Sequence, residues 1–171
     1  PTLPLIQPSP LSTKIPEPTL QPAVQKPLPA KVLKIGVIAP FSGPQAAFGA
    51  MVEKGVTLAV EQWNQLGGVL GFEIQPIMAD GGCMPDPTLN EGNRLMDDED
   101  VRFIIGEVCS RPTIPLAEIT NPRGVIQISP SATNPMVTVD ENGATRPFTF
   151  RTCLADPFQG LVAARFAYEN L

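Results

Sequence analysis

The sequence predicts an α/β domain, a doubly wound parallel sheet, behind a proline-rich segment. Three observations carry this. Short runs rich in Val, Ile and Phe alternate with stretches whose apolar residues recur at helical spacing, and that order makes a parallel sheet with right-handed crossovers, covered on both faces. The loops leaving the strand runs are rich in Gly, Ser, Thr and Pro. Nine of the 21 prolines fall in the first 30 residues, where there is neither glycine nor aromatic residue, so that segment cannot build a core.

Residues 1 to 31 are therefore read as a semi-rigid polyproline-type tether, with a proline-rich docking site as the alternative. Val32 to Ala39 is the first strand, nearly all apolar, ended by Pro40-Phe41-Ser42-Gly43-Pro44. From Ala46 to Gln65 the residues Val52, Val56, Ala59, Val60 and Trp63 recur at helical spacing, which assigns Trp63 to the core. Gly67, Gly68 and Gly71 close that helix. Phe72 to Met78 is a strand carrying Pro76, hence an edge strand. Asp80 to Pro87 reads as a loop and Thr88 to Met96 as a helix.

Val101 to Ile105 is the pattern of a strand buried on both faces. It runs into Gly106-Glu107-Val108-Cys109-Ser110, and a helix with Pro112 in its first turn and a body over Ile114 to Thr120 follows. Val125 to Ile128 and Phe148 to Arg151 are the last strands, and Asp156 to Leu171 the last helix.

Composition narrows the chemistry. Residues 1 to 31 hold three lysines against one glutamate, so the chain's net charge of −5 divides into +2 there and −7 for the remainder. Scattered charge on an acidic domain is a poor nucleic-acid ligand. With no histidine, a Ser-His-Asp or Cys-His pair and a histidine-bearing zinc site are excluded. Nucleotide-binding glycine motifs are absent, so no cofactor and no metal is expected, and no enzyme. There is no apolar run of about 20 residues to cross a membrane. The chain begins at Pro1 and is expected to be a processed or excised piece whose signal peptide has gone.

In a doubly wound sheet the loops at the carboxyl ends of the strands share one edge. Those around Phe41, Cys83, Ser110 and Thr133 would form a cleft wall of hydroxyls and backbone donors for a small molecule, or be turn residues only. Ser110 would meet an anionic group beside a helix start, or merely cap that helix.

The segments Ile35 to Pro44, Gly67 to Gly71, Ile105 to Ser110, Ser129 to Pro135 and Phe150 to Thr152, in this order, resemble the amino-terminal lobe of the periplasmic leucine/isoleucine/valine-binding proteins of ABC importers. The resemblance covers residues 32 to 171 and implies a type I periplasmic-binding-protein lobe with strand order 2-1-3-4-5, the second lobe being absent. It implies that Ser110 and Thr133 hold an amino acid's α-carboxylate, that Ser131 offers a backbone carbonyl to the ammonium, and that Ala132 lies in the same wall. Phe48 would lie against the ligand side chain. The expected ligand is a small amino acid, branched-chain aliphatic, and the partner an ABC permease.

The same resemblance implies a disulfide between Cys83 and Cys109, closing a loop of about 27 residues worth roughly 3 kcal/mol. That places the protein in the periplasm or another extracytoplasmic site, either free or surface-anchored through the tether, and monomeric when intact. Cys153 is left over, a small buried residue or a reactive thiol. Arg111-Pro112 departs from the family's small hydroxyl residues, and the arginine is either solvated or selects a ligand with a second carboxylate. A receptor or regulatory ligand-sensing domain of the same fold is the alternative function. Half a clamshell is expected to leave an exposed apolar edge.

Overall fold

The structure is a computed structural model and describes residues 31–171. The expected tether lies outside the described residues, except for Lys31, which already belongs to the first strand. Five parallel strands, β1 (Lys31–Ala39), β2 (Phe72–Asp80), β3 (Phe103–Gly106), β4 (Ile126–Ser129) and β5 (Thr149–Arg151), form one sheet in the order 2-1-3-4-5. The order and the edge position of the Pro76 strand match the sequence expectations. Pro76 cannot donate to a ladder, and β2 has a neighbour on one side only.

Four helices connect or follow the strands: α1 (Ala46–Gln65), α2 (Pro85–Asp97), α3 (Ser110–Thr120) and α4 (Asp156–Asn170). Two boundaries differ from expectation because proline starts helices well. α2 opens at Pro85 rather than Thr88, with φ preset in its first turn and Asp86 beside the positive end of the dipole. α3 opens at Ser110, and Pro112 occupies a first-turn position whose N–H would have no helical partner.

One face of the sheet is finished. Ile38 of β1, Ala79 of β2 and Ile104 of β3 pack with Leu95 and Met96 of α2, Leu116 of α3, Val101 and Val125. Gly36 lies under this layer, and a Cβ there would come within 2.8 Å of Leu95 Cδ1. The core thus lies between the sheet and the α2–α3 pair.

The opposite face departs from expectation. Side chains alternate along a strand, so the register Phe103↔Ile126, Ile105↔Ile128 and Ile128↔Phe150 puts these residues in one apolar layer on the α1 side. Helix α1 packs over β1 and β2, leaving Phe103, Ile128 and Phe150 between 37% and 48% exposed. Trp63, assigned to the core from its spacing, is 53% exposed. Its stripe is apolar as expected, but nothing among the described residues covers that end. Helix α4 buries no residue, although it carries Phe158, Leu161, Val162 and Phe166. An exposed apolar edge is present, and it is wider than one rim.

Candidate functional site

The site is built at the carboxyl end of β3. Gly106 has φ +128°, and a Cβ on it would fall 1.9 Å from the Ile38 carbonyl oxygen, so only glycine lets β3 pass this close to β1. The next residue, Glu107, is fully buried. Its carbonyl accepts from Ser129 Oγ at 2.5 Å and Thr113 Oγ1 at 3.0 Å, which ties together the ends of β3 and β4 and the start of α3. Its carboxylate accepts from the amides of Cys109 at 2.8 Å and Cys83 at 3.2 Å. Burial pushes the Glu107 carboxyl above its ordinary range, and the amides of Cys109, Cys83 and Val108 pull it partly back.

Cys83 and Cys109 are joined in a disulfide, as the resemblance implied. Their sulfurs, which lie close to Glu107, are thereby committed to each other rather than to a metal. Asp80, at the end of β2, organises the neighbouring loop by accepting from Phe41 N at 2.9 Å and Gly82 N at 3.0 Å. A hydrogen bond from the Ser42 hydroxyl holds its carboxyl below the ordinary range, with amides of Gly82, Phe41 and Ser42 adding to the effect against some burial. The loops expected to share one edge are therefore bonded to one another there.

Ser110 does not cap α3. Cys109 is the N-cap residue and its side chain makes no capping bond, while Ser110 is the first helical residue. Ser110 Oγ instead accepts from Asn134 N at 3.2 Å. This joins the α3 start to the turn Ser129 to Pro135 and leaves the hydroxyl hydrogen to donate. In that turn Ala132 is buried and its N–H donates to Ser129 Oγ at 3.1 Å. Ser131 Oγ donates to the Val108 carbonyl at 2.8 Å. Among the described residues no partner takes the amide or the hydroxyl hydrogen of Thr133.

Phe48 and Ser131 line an open groove of about 390 Å³ with Met51, Val52, Ile105 and Val108, so Ser131 is nearly its only polar contributor. Phe48 reaches it because Gly49 lets α1 approach the first loop; a Cβ at 49 would lie 2.2 Å from the Pro40 carbonyl oxygen. The five expected ligand residues thus fall into two neighbouring groups linked by the Ser131 turn. Ser110, Ala132 and Thr133 form a polar corner, and Phe48 and Ser131 belong to the apolar groove. Arg111 is exposed, and Cys153 is half-buried with Sγ 3.4 Å from the Ala132 carbonyl oxygen.

Glu107, Asp80 and Arg151 organise these loops although no motif in the sequence marks them for that role. The available signal for Glu107 was a lone acid directly after a buried-strand run, and its burial follows only from the packing of the strand ends.

A doubly wound lobe with a donor-rich corner beside an apolar groove, at the carboxyl ends of its strands, defines a small-molecule binding domain. The family model for periplasmic binding proteins matches residues 32–169, and the chain belongs to that family. It is 36% identical over 141 residues to the leucine-, isoleucine-, valine-, threonine- and alanine-binding protein of Pseudomonas aeruginosa, covering 82% of this chain and 36% of that protein. It is 35% identical to the Leu/Ile/Val-binding protein BraC3 of Rhizobium johnstonii, over 84% of this chain and 38% of the relative.

Among solved structures, the leucine-binding protein LivK of Thermotoga maritima superposes with a TM-score of 0.72 at 39% identity, over 81% of this chain and 37% of that one. The LivJ protein of Streptococcus pneumoniae in complex with isoleucine gives 0.73 at 29% identity, over 82% and 39%. The chain therefore spans little more than a third of the length of these relatives.

Proposed function

We propose that residues 32–171 are the amino-terminal lobe of an extracytoplasmic solute-binding protein that captures a branched-chain amino acid and passes it to an ABC permease without making or breaking a bond. The observation that carries this is the pairing of a neutral donor corner with an apolar groove. The Ser110 hydroxyl and the Thr133 amide and hydroxyl can receive a carboxylate at the positive end of α3 without a buried counter-charge. The groove lined by Phe48, Val52 and Val108 offers an aliphatic side chain an apolar wall. In this reading the Ser131 carbonyl would receive the ammonium, and a second lobe would add the acidic partner and close the cleft. Names of the relatives point to the same ligand class. The intact protein is read as a monomer, held in the periplasm or anchored by the proline-rich tether.

Calorimetry on the full-length protein with a panel of amino acids tests this. Leucine, isoleucine or valine should bind, and Ser110→Ala and Thr133→Ala should each weaken binding about tenfold or more, the worth of a hydrogen bond to a charged group. Variants that bind as tightly as the parent would remove the site assignment and leave the family membership standing.

A further inference from the structure

Arg151, the last residue of β5, makes four hydrogen bonds, and all of them go to the binding turn and the segment that follows it. Nη1 donates to the carbonyls of Asn134 at 2.8 Å and Ala132 at 3.3 Å; Nη2 donates to the carbonyl of Pro135 at 3.1 Å and to Thr138 Oγ1 at 2.7 Å. None of these partners is a carboxylate, and among the described residues Arg151 makes no ion pair. Two further donors pull from the same side. Cys153 Sγ lies 3.4 Å from the Ala132 carbonyl oxygen, and Asp156 N donates to the Thr133 carbonyl at 3.0 Å.

The carbonyl and N–H of a trans peptide point in opposite directions. The carbonyls of Ala132 and Thr133 both face the β5–α4 segment, so the N–H groups of Thr133 and Asn134 both face away from it. Asn134 N reaches Ser110 Oγ, which fixes where that opposite side lies. The Thr133 N–H is therefore turned toward the Ser110 side of the turn.

We propose that Arg151 is the positioning residue of this turn: by holding the Ala132, Asn134 and Pro135 carbonyls it aims the Thr133 amide toward Ser110 and makes the corner a carboxylate receptor. This rests on the amino-acid reading above. Arg151 does not touch the ligand in this scheme. Lysine would keep the charge but lose the planar fork that reaches several acceptors at once.

The test uses the full-length protein, with amide hydrogen exchange of Asn134 in the ligand-free state and L-leucine calorimetry, on Arg151→Met, Arg151→Lys and Thr138→Val. In Arg151→Met, Asn134 protection should fall and leucine affinity should weaken, each about tenfold, as for loss of one charge-assisted bond, while the Ile104 amide in β3 keeps its protection. Arg151→Lys should fall between this variant and the parent. Thr138→Val, which removes one acceptor only, should shift both readouts the same way by less, and it decides the matter if Arg151→Met does not fold.

Unchanged Asn134 exchange overturns the proposal. So does a parallel loss of protection at Asn134 and Ile104, which marks general destabilisation, or loosened exchange with full leucine affinity. If the parent itself binds no leucine, the amino-acid reading falls, and the Asn134 exchange still decides whether Arg151 positions the turn.

Discussion

Glu107 and Asp80 sit on the same loop edge and respond to pH in opposite senses. Burial raises the Glu107 carboxyl, so the fold favours its neutral form. Its contribution is fully present below the unfolded-state pKa of about 4.3 and is lost as pH rises through the folded value. Asp80, held down first by the Ser42 hydroxyl, contributes above an unfolded pKa of about 3.9 and loses that contribution as pH falls through its folded value. Thermal melts of Glu107→Gln against the parent should therefore show the variant gaining on the parent as pH rises from 4 to 7, whatever their offset at pH 4. A difference independent of pH would contradict the buried-carboxyl account. Asp80→Asn should flatten the acid limb of the parent's stability curve, and an acid limb of unchanged steepness would assign that limb to other carboxylates.

At the scale of elements, the β3–α3 connection holds the candidate site and depends on two local features. Gly106 combines a backbone conformation that L side chains rarely adopt with a Cβ position already occupied by the Ile38 carbonyl. Gly106→Ala should abolish soluble, cooperatively melting protein; a variant that melts with the parent would mean β1 and β3 can separate at this point. The Cys83–Cys109 disulfide spans 26 residues, and replacing both cysteines by alanine should lower unfolding free energy in denaturant by about 3 kcal/mol.

Strands and helices were legible because local rules govern them, apolar runs for strands and helical spacing for helices, whereas the start of α2 at Pro85, the close approach at Gly106 and the cysteine pairing were not read from such rules. What was not legible depends on partners distant in the chain. Gln127 reads as a polar interruption of β4, yet it is buried with Oε1 accepting from Thr120 Oγ1 and Nε2 donating to the Gly106 carbonyl. The sequence leaves Ser110 between a helix cap and an anion contact, and its bond to Asn134, 24 residues away, follows only once α3 and the β4 turn are placed side by side. Thr133 and Ser131 entered through family resemblance, since spacing alone does not separate a binding turn from an ordinary one.

For the whole molecule, a parallel sheet followed from alternation of strand and helix and its 2-1-3-4-5 order from the family resemblance, while the coverage of the sheet followed from neither. Helical spacing shows that Trp63 lies on an apolar stripe, and says nothing about what covers the stripe. Phe103, Ile128 and Phe150 on the sheet, with Trp63 on α1 and the apolar residues of α4, form surface that a stable partner layer would bury. Residues 31–171 expressed alone should bind a hydrophobic dye and self-associate in sedimentation, and the full-length protein should do neither. A monodisperse, dye-silent fragment would mean that α4 folds back over the open face in solution.

The most direct measurement is a crystal structure of the full-length protein grown with isoleucine. The expected density places the carboxylate within hydrogen-bond distance of Ser110 Oγ and Thr133 N, with the aliphatic chain against Phe48 and Val52. A ligand carboxylate held at the Arg111 guanidinium, or a ligand elsewhere in the protein, would contradict the assignment of this corner as the carboxylate receptor.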